Sequence, residues 1–93
     1  MKQGIHFGNC PICDEPYSTK RYRTRHHIFP RWWYEDSIVL YACHQCHQVE
    51  FHYWYPMAYS KPWTPNQCIR KWVEFCFIKG KDAYQIYPVL NDL

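Results

Sequence analysis

The chain has 93 residues, 47% of them hydrophobic and 20% aromatic, which excludes disorder and bounds the molecule to a single domain, residues 1–93. No apolar run approaches the roughly twenty residues of a membrane span, so a cytoplasmic protein with no membrane partner is expected. The net charge is only +3, yet five of the eleven Lys and Arg residues crowd together as Lys20, Arg21, Arg23, Arg25 and Arg31, with no acid among them.

In chain order, the first segment holds a Cys-x-x-Cys pair, Cys10 and Cys13, with Pro11 and Pro16 close by and no sustained period. It reads as a knuckle and loop. From Tyr22 to Phe29 the Tyr, Thr, Ile and Phe residues favour a strand that Pro30 stops, and Ser37 to Tyr41 reads as a second strand. The short connection through Arg31, Trp32, Trp33 and Tyr34 predicts an antiparallel hairpin. A second pair, Cys43 and Cys46, then turns the chain into a helix expected from about His47 to Tyr55, ended by Pro56. After an ordered loop, Thr64 as N-cap, Pro65 at the first helical position and Gln67 in a capping box begin a C-terminal helix, about 65–79, that Gly80 stops. Ile69, Trp72, Val73 and Cys76 share one stripe of it, so Cys68 and Cys76 are expected as core thiols. Phe51, Tyr53, Trp54, Tyr55, Tyr59 and Trp63 are expected chiefly to pack the core.

Two short cysteine pairs suit one tetrahedral zinc ion, each pair wrapping an edge while the intervening chain closes as a loop. A disulfide framework is the alternative for six cysteines in so short a chain. The segment Met1 to His6 lacks an apolar signal region, which points away from export and toward zinc. Between the pairs lie His26 and His27, inside the basic segment, so an anion drawn to the cations arrives at the imidazoles. Phosphate, and hence nucleic acid, is the expected ligand. Neighbouring strand residues point to opposite faces, so the two histidines are expected to have distinct roles.

His26-His27-Ile28-Phe29-Pro30, followed by Cys43-x-x-Cys46-His47 at the start of a helix, resembles the HNH endonucleases over roughly Cys10 to His52. The order of knuckle, His motif and knuckle is similar to the zinc-bearing branch that includes the phage recombination endonuclease VII type. The resemblance implies a small α+β fold, a ββα-metal core over about 10–55 stapled by a four-cysteine zinc site (Cys10, Cys13, Cys43, Cys46), with an added C-terminal helix. It further implies that His27 is the general base that activates water. His26 and His47 would hold one divalent cation such as Mg2+, Mn2+, Ni2+ or Zn2+, and double-stranded DNA would be hydrolysed to 5′-phosphate and 3′-hydroxyl ends.

Arg25 and Arg31 flank the base as phosphate contacts, and one of Trp32 and Trp33 is a candidate DNA contact at the hairpin tip. A phage or host DNA-processing partner fits the same family. Two positions depart from its pattern. Glu35-Asp36-Ser37 offers no Asn to support the base, leaving Ser37 or Asp36. The residue four after His47 is Phe51, so Glu50 and His52 are rival third metal ligands, His52 lying about 140° around an ideal helix from His47. His44 is expected to be exposed or bonded to the zinc thiolates, and His6 has no partner in sequence. The alternative function is a zinc-knuckle module that binds nucleic acid without cutting it.

Overall fold

A two-stranded antiparallel hairpin organises the chain in the computed structural model, which describes residues 8–56 and 61–93. His6 and Tyr59 lie outside the described residues. β1 (Arg23–His27) pairs with β2 (Val39–Cys43), from Arg23 opposite Cys43 to His27 opposite Val39. Both strands differ from the expected ranges at the end near the turn. There the Ser37 hydroxyl takes the Phe29 N–H at 2.9 Å and donates to the Ile38 carbonyl at 2.8 Å. A side chain thus replaces a backbone acceptor, the ladder stops, and β2 starts later and runs on to Cys43. Strand alternation puts Thr24 and His26 on the inner face and Arg23, Arg25 and His27 on the outer one.

After Cys43 the chain enters a π-helix, Gln45–Phe51, that runs directly into a single α-helical turn, α1 (His52–Trp54). The helical segment begins earlier than the expected His47, and its winding differs from the α-helix expected there. The His52 N–H donates to the His47 carbonyl, an i to i+5 bond in which the fifth residue returns to the same face. The Tyr55 N–H bonds the Phe51 carbonyl at 2.9 Å, just before Pro56 ends the segment.

α2 (Pro65–Ile78) has the expected start: Thr64 accepts from the Gln67 N–H and the Gln67 side chain reaches back to the Thr64 N–H. Gly80, at φ +84°, ends it in a Schellman turn, with Gly80 N–H on the Phe77 carbonyl and Lys81 N–H on the Cys76 carbonyl. Trp72, Cys76 and Cys68 are buried as expected, and Phe75 joins them. Phe51 from the π-helix packs edge-on against Trp72 and Phe75, with ring centroids 4.8 and 5.3 Å apart. The remaining chain forms α3 (Ala83–Ile86), capped by the Asp82 side chain, and a 3-10 turn, Pro88–Asp92. It closes onto the hairpin through the Tyr87 hydroxyl, which donates to the Tyr41 carbonyl at 2.6 Å. The result is a small α+β architecture, and no helix among the described residues is long and apolar enough to cross a membrane.

Candidate metal centres and a cationic cavity

Cys10 and Cys13 come from the N-terminal knuckle, Cys43 from the last position of β2, and Cys46 from the π-helix. Their four sulfur atoms lie within 4.8 Å of one another, and all six cysteines of the chain are free thiols rather than disulfides. A tetrahedron with Zn–S bonds of about 2.3 Å has edges of about 3.8 Å. The Cys13 and Cys43 sulfurs stand 3.8 Å apart. The donor set therefore fits a zinc ion, which the four cysteines could bind. The Cys43 N–H points at the Cys10 sulfur and the Cys46 N–H at the Cys43 sulfur, at 3.3 and 3.4 Å, and Arg21 donates to the Cys13 and Cys43 sulfurs at 3.6 and 3.9 Å. A hydrogen bond from the Cys46 thiol, with help from the Cys43 N–H, lowers the Cys10 pKa, while burial raises that of Cys13. Arg21 thus serves the cysteine cluster, while Arg23 lies over the Tyr41 ring at 4.4 Å. Of the five clustered cations, Arg25 and Arg31 are the two beside the histidines.

The second cluster is His26, His47 and His52, whose ligand nitrogens also lie within 4.8 Å of one another. His47 Nε2 is 3.2 Å from His26 Nδ1 and 3.1 Å from His52 Nε2. A tetrahedral ion with Zn–N bonds of about 2.0–2.1 Å separates its nitrogens by about 3.3–3.4 Å, close to this spacing. The π-helical winding makes the cluster possible, because it brings His47 and His52 to one side despite their five-residue separation. Glu50, the other rival ligand, points elsewhere and bonds Lys79 and Gln45. Burial lowers all three imidazole pKa values. His26 falls well below its ordinary range, His52 is lowered, and His47 falls to about 3 through burial and the neighbouring His52. Three neutral imidazoles whose nitrogens lie this close together could hold a metal ion.

Thr24 fixes which nitrogen of His47 carries the proton. Its hydroxyl hydrogen goes to the Ala42 carbonyl at 2.7 Å, so its oxygen must accept from His47 Nδ1 at 2.8 Å. His47 Nε2 is thereby left as a bare lone pair inside the cluster. Thr24 lies two residues from His26 on the same strand face, a relation that strand alternation alone encodes. Trp72, expected only as core, stacks on His26 with centroids 4.1 Å apart at 16°. Its indole Nε1 is buried with no hydrogen-bond partner among the described residues. Replacing Thr24 by Val is expected to weaken divalent-ion binding at the histidine cluster by about 10–100-fold in a calorimetric titration. The zinc content of the cysteine cluster should stay unchanged, and Thr24→Ser should keep the affinity.

A cavity of about 230 Å³ adjoins the histidine cluster and is lined by Arg25, His26, His27, Pro30, Arg31, Trp32, His47 and His52. His27 points to the face opposite His26, as alternation required, and burial together with the Arg31 and Arg25 charges lowers its pKa. It is neutral at pH 7 and free to accept a proton. Among the described residues no hydrogen bond reaches its ring. Ser37 holds the end of β1 through the Phe29 N–H rather than His27 itself, and Asp36 is exposed. His44 stacks on Tyr22 and bonds Gln48, and it belongs to neither cluster. Comparison with protein-family models, curated proteins and solved structures finds no match for this chain.

Proposed function

We propose that the chain is a zinc-stapled nuclease of the HNH type, a ββα-metal domain that hydrolyses DNA phosphodiester bonds. The observation that carries the reading is the convergence of the His26, His47 and His52 nitrogens beside a cavity that also holds His27, Arg25 and Arg31. The strand, strand, helix order around that cluster supports the same assignment. His26, His47 and His52 would hold a divalent cation, which when bound would supply Lewis-acid charge for a phosphate oxygen and for the departing 3′ oxygen. Arg25 and Arg31 attract and orient the phosphate. His27 takes the proton of the attacking water at a ring nitrogen, and the neutral state imposed by its surroundings leaves that nitrogen open at pH 7. The water oxygen bonds to phosphorus as the bond from phosphorus to the 3′ oxygen breaks, and that oxygen takes a proton from solvent, leaving 5′-phosphate and 3′-hydroxyl ends. The cysteine cluster has no part in the chemistry; it holds hairpin and π-helix together so that His26, His47 and His52 meet.

The test is nicking of supercoiled plasmid across Mg2+, Mn2+, Ni2+ and Zn2+, with His27→Ala run beside the parent protein. The variant is expected to lose about 10²–10⁴-fold in rate while its zinc content and circular dichroism are retained. Full activity in His27→Ala would remove the assigned base. Retardation of DNA without nicking under any metal would support a non-cutting zinc-knuckle module instead.

A further inference from the structure

Trp32 is 65% exposed, whereas Trp33 beside it packs on Trp63 at 5.7 Å and joins the core. The exposed indole is braced: Trp33 meets it edge-on at 6.1 Å, and the turn beneath is fixed by Trp33 and Tyr34 N–H groups that both donate to the Pro30 carbonyl at 3.0 Å. It lines the same cavity as His27, Arg25, Arg31 and the three clustered imidazoles. Arg25 and His27 also line a second groove along β1, with Arg23, Thr24 and Tyr41. A cationic path therefore leads from the cavity along the strand, with the exposed Trp32 indole at one end and, at the other, the Tyr41 ring with Arg23 over one face.

Cations along a groove with aromatic platforms are the arrangement that grips an unpaired strand, because phosphates follow the charges and base faces stack on the rings. A base inside an intact duplex has both faces covered by its neighbours and reaches an indole only by leaving the stack. The cavity, at about 230 Å³, is also smaller than ordinary small-molecule pockets of about 300–1,000 Å³. That space suits a phosphate and its sugar rather than a base pair.

We propose that the substrate is DNA that is unpaired beside the scissile phosphate, with a base stacked on Trp32 and the strand continuing over Arg25 toward Arg23 and Tyr41. The double-stranded DNA expected from the sequence then supplies the flanks of a gap, flap or loop. Cleavage of such a substrate rests on the nuclease reading above; the stacking preference does not.

The experiment measures binding by fluorescence anisotropy with His27→Ala protein loaded with zinc and Ni2+, so that the DNA stays intact. The probes share one labelled strand and are single-stranded, gapped duplex and fully paired duplex. Tighter binding of the first two is expected. Adding Trp32→Ala should weaken those two by about tenfold and leave the paired duplex within about twofold, and Trp32→Tyr should recover most of the loss. Equal affinity for all probes, or a Trp32→Ala effect that is absent or equal across them, would overturn the proposal. Nicking by the parent protein separates the two readings. A paired duplex cut as fast as a gapped one, with and without Trp32, leaves the nuclease standing without the stacking platform. A Trp32-dependent preference with no cutting does the reverse.

Discussion

Cys46→Ser is expected to release zinc and to take most of the domain's stability with it, whereas Cys68→Ala and Cys76→Ala keep the metal. The four sulfurs join the N-terminal knuckle, the end of β2 and the π-helix, three segments that also meet in one hydrophobic core. Structural zinc is worth about 10–16 kcal/mol in small zinc-binding peptides, as much as the whole 5–15 kcal/mol of a typical domain. The aromatic core around Trp72, Phe51 and Phe75 offsets part of the loss, so a collapsed state with helical content but a broad melting transition should remain. Thermal melts followed by near- and far-UV circular dichroism, with zinc measured on each protein, check this. Removal of the metal by a strong chelator should reproduce the variant. Cys68 and Cys76 are buried in α2 and are not among the four clustered sulfurs, and Cys→Ala there should cost about 1 kcal/mol with a sharp transition preserved. A Cys46→Ser protein that melts sharply near the parent temperature would show that the core suffices without the cysteine cluster.

The cysteine cluster and α2 were legible because both are encoded by local spacing. Cys10-x-x-Cys13 and Cys43-x-x-Cys46 can each grip one ion from a tight turn, and Thr64, Pro65, Gln67 and Gly80 mark helix ends by their own side-chain and backbone chemistry. The histidine cluster was only half legible. His26 and His27 follow strand alternation, and His47 follows its knuckle, but the third member depends on how the helix is wound. Read at 3.6 residues per turn, Glu50 shares the face of His47 and His52 does not. In the π-helix the i to i+5 bond reverses that choice. Nothing in the residues Gln45 to Phe51 marks the winding locally. It satisfies several tertiary demands at once, with Cys46 in the cysteine cluster, His47 and His52 against His26, and Phe51 against Trp72. The shift of β2 toward Cys43 has a similar origin, since Ser37 favours a strand no more than it favours the capping bond to Phe29 that it makes. After Gly80, Asp82 and Pro88 mark the starts of two helices too short to show a hydrophobic period in sequence.

His47→Ala is expected to abolish divalent-ion binding at the histidine cluster and to leave the zinc of the cysteine cluster in place. His47 is central: its Nε2 is the atom within 3.2 Å of both other nitrogens, and Thr24 keeps it unprotonated. Losing it should weaken binding by more than about 100-fold, beyond the effect of a supporting hydrogen bond. His52→Ala removes a second ligand at a half-buried position where the core is disturbed less, and it should weaken ion binding with the fold retained. Three neutral imidazoles favour Ni2+ or Zn2+ over Mg2+, which prefers oxygen ligands and sheds its water reluctantly. Titration calorimetry with Ni2+ and Mg2+ on zinc-loaded protein should therefore show tight binding of the first and little of the second. The pH dependence has a definite sign. Burial depresses the folded pKa of these imidazoles below the ordinary 6.5, to about 3 at His47, so the unfolded chain binds more protons throughout that window. Stability is fully present above about pH 6.5 and is lost as pH falls toward 3, and protons compete for the same nitrogens that hold the ion. Ion release and the onset of acid unfolding should consequently move together. Tight Mg2+ binding in preference to Ni2+, or ion binding unchanged in His47→Ala, would place the divalent site elsewhere in the molecule.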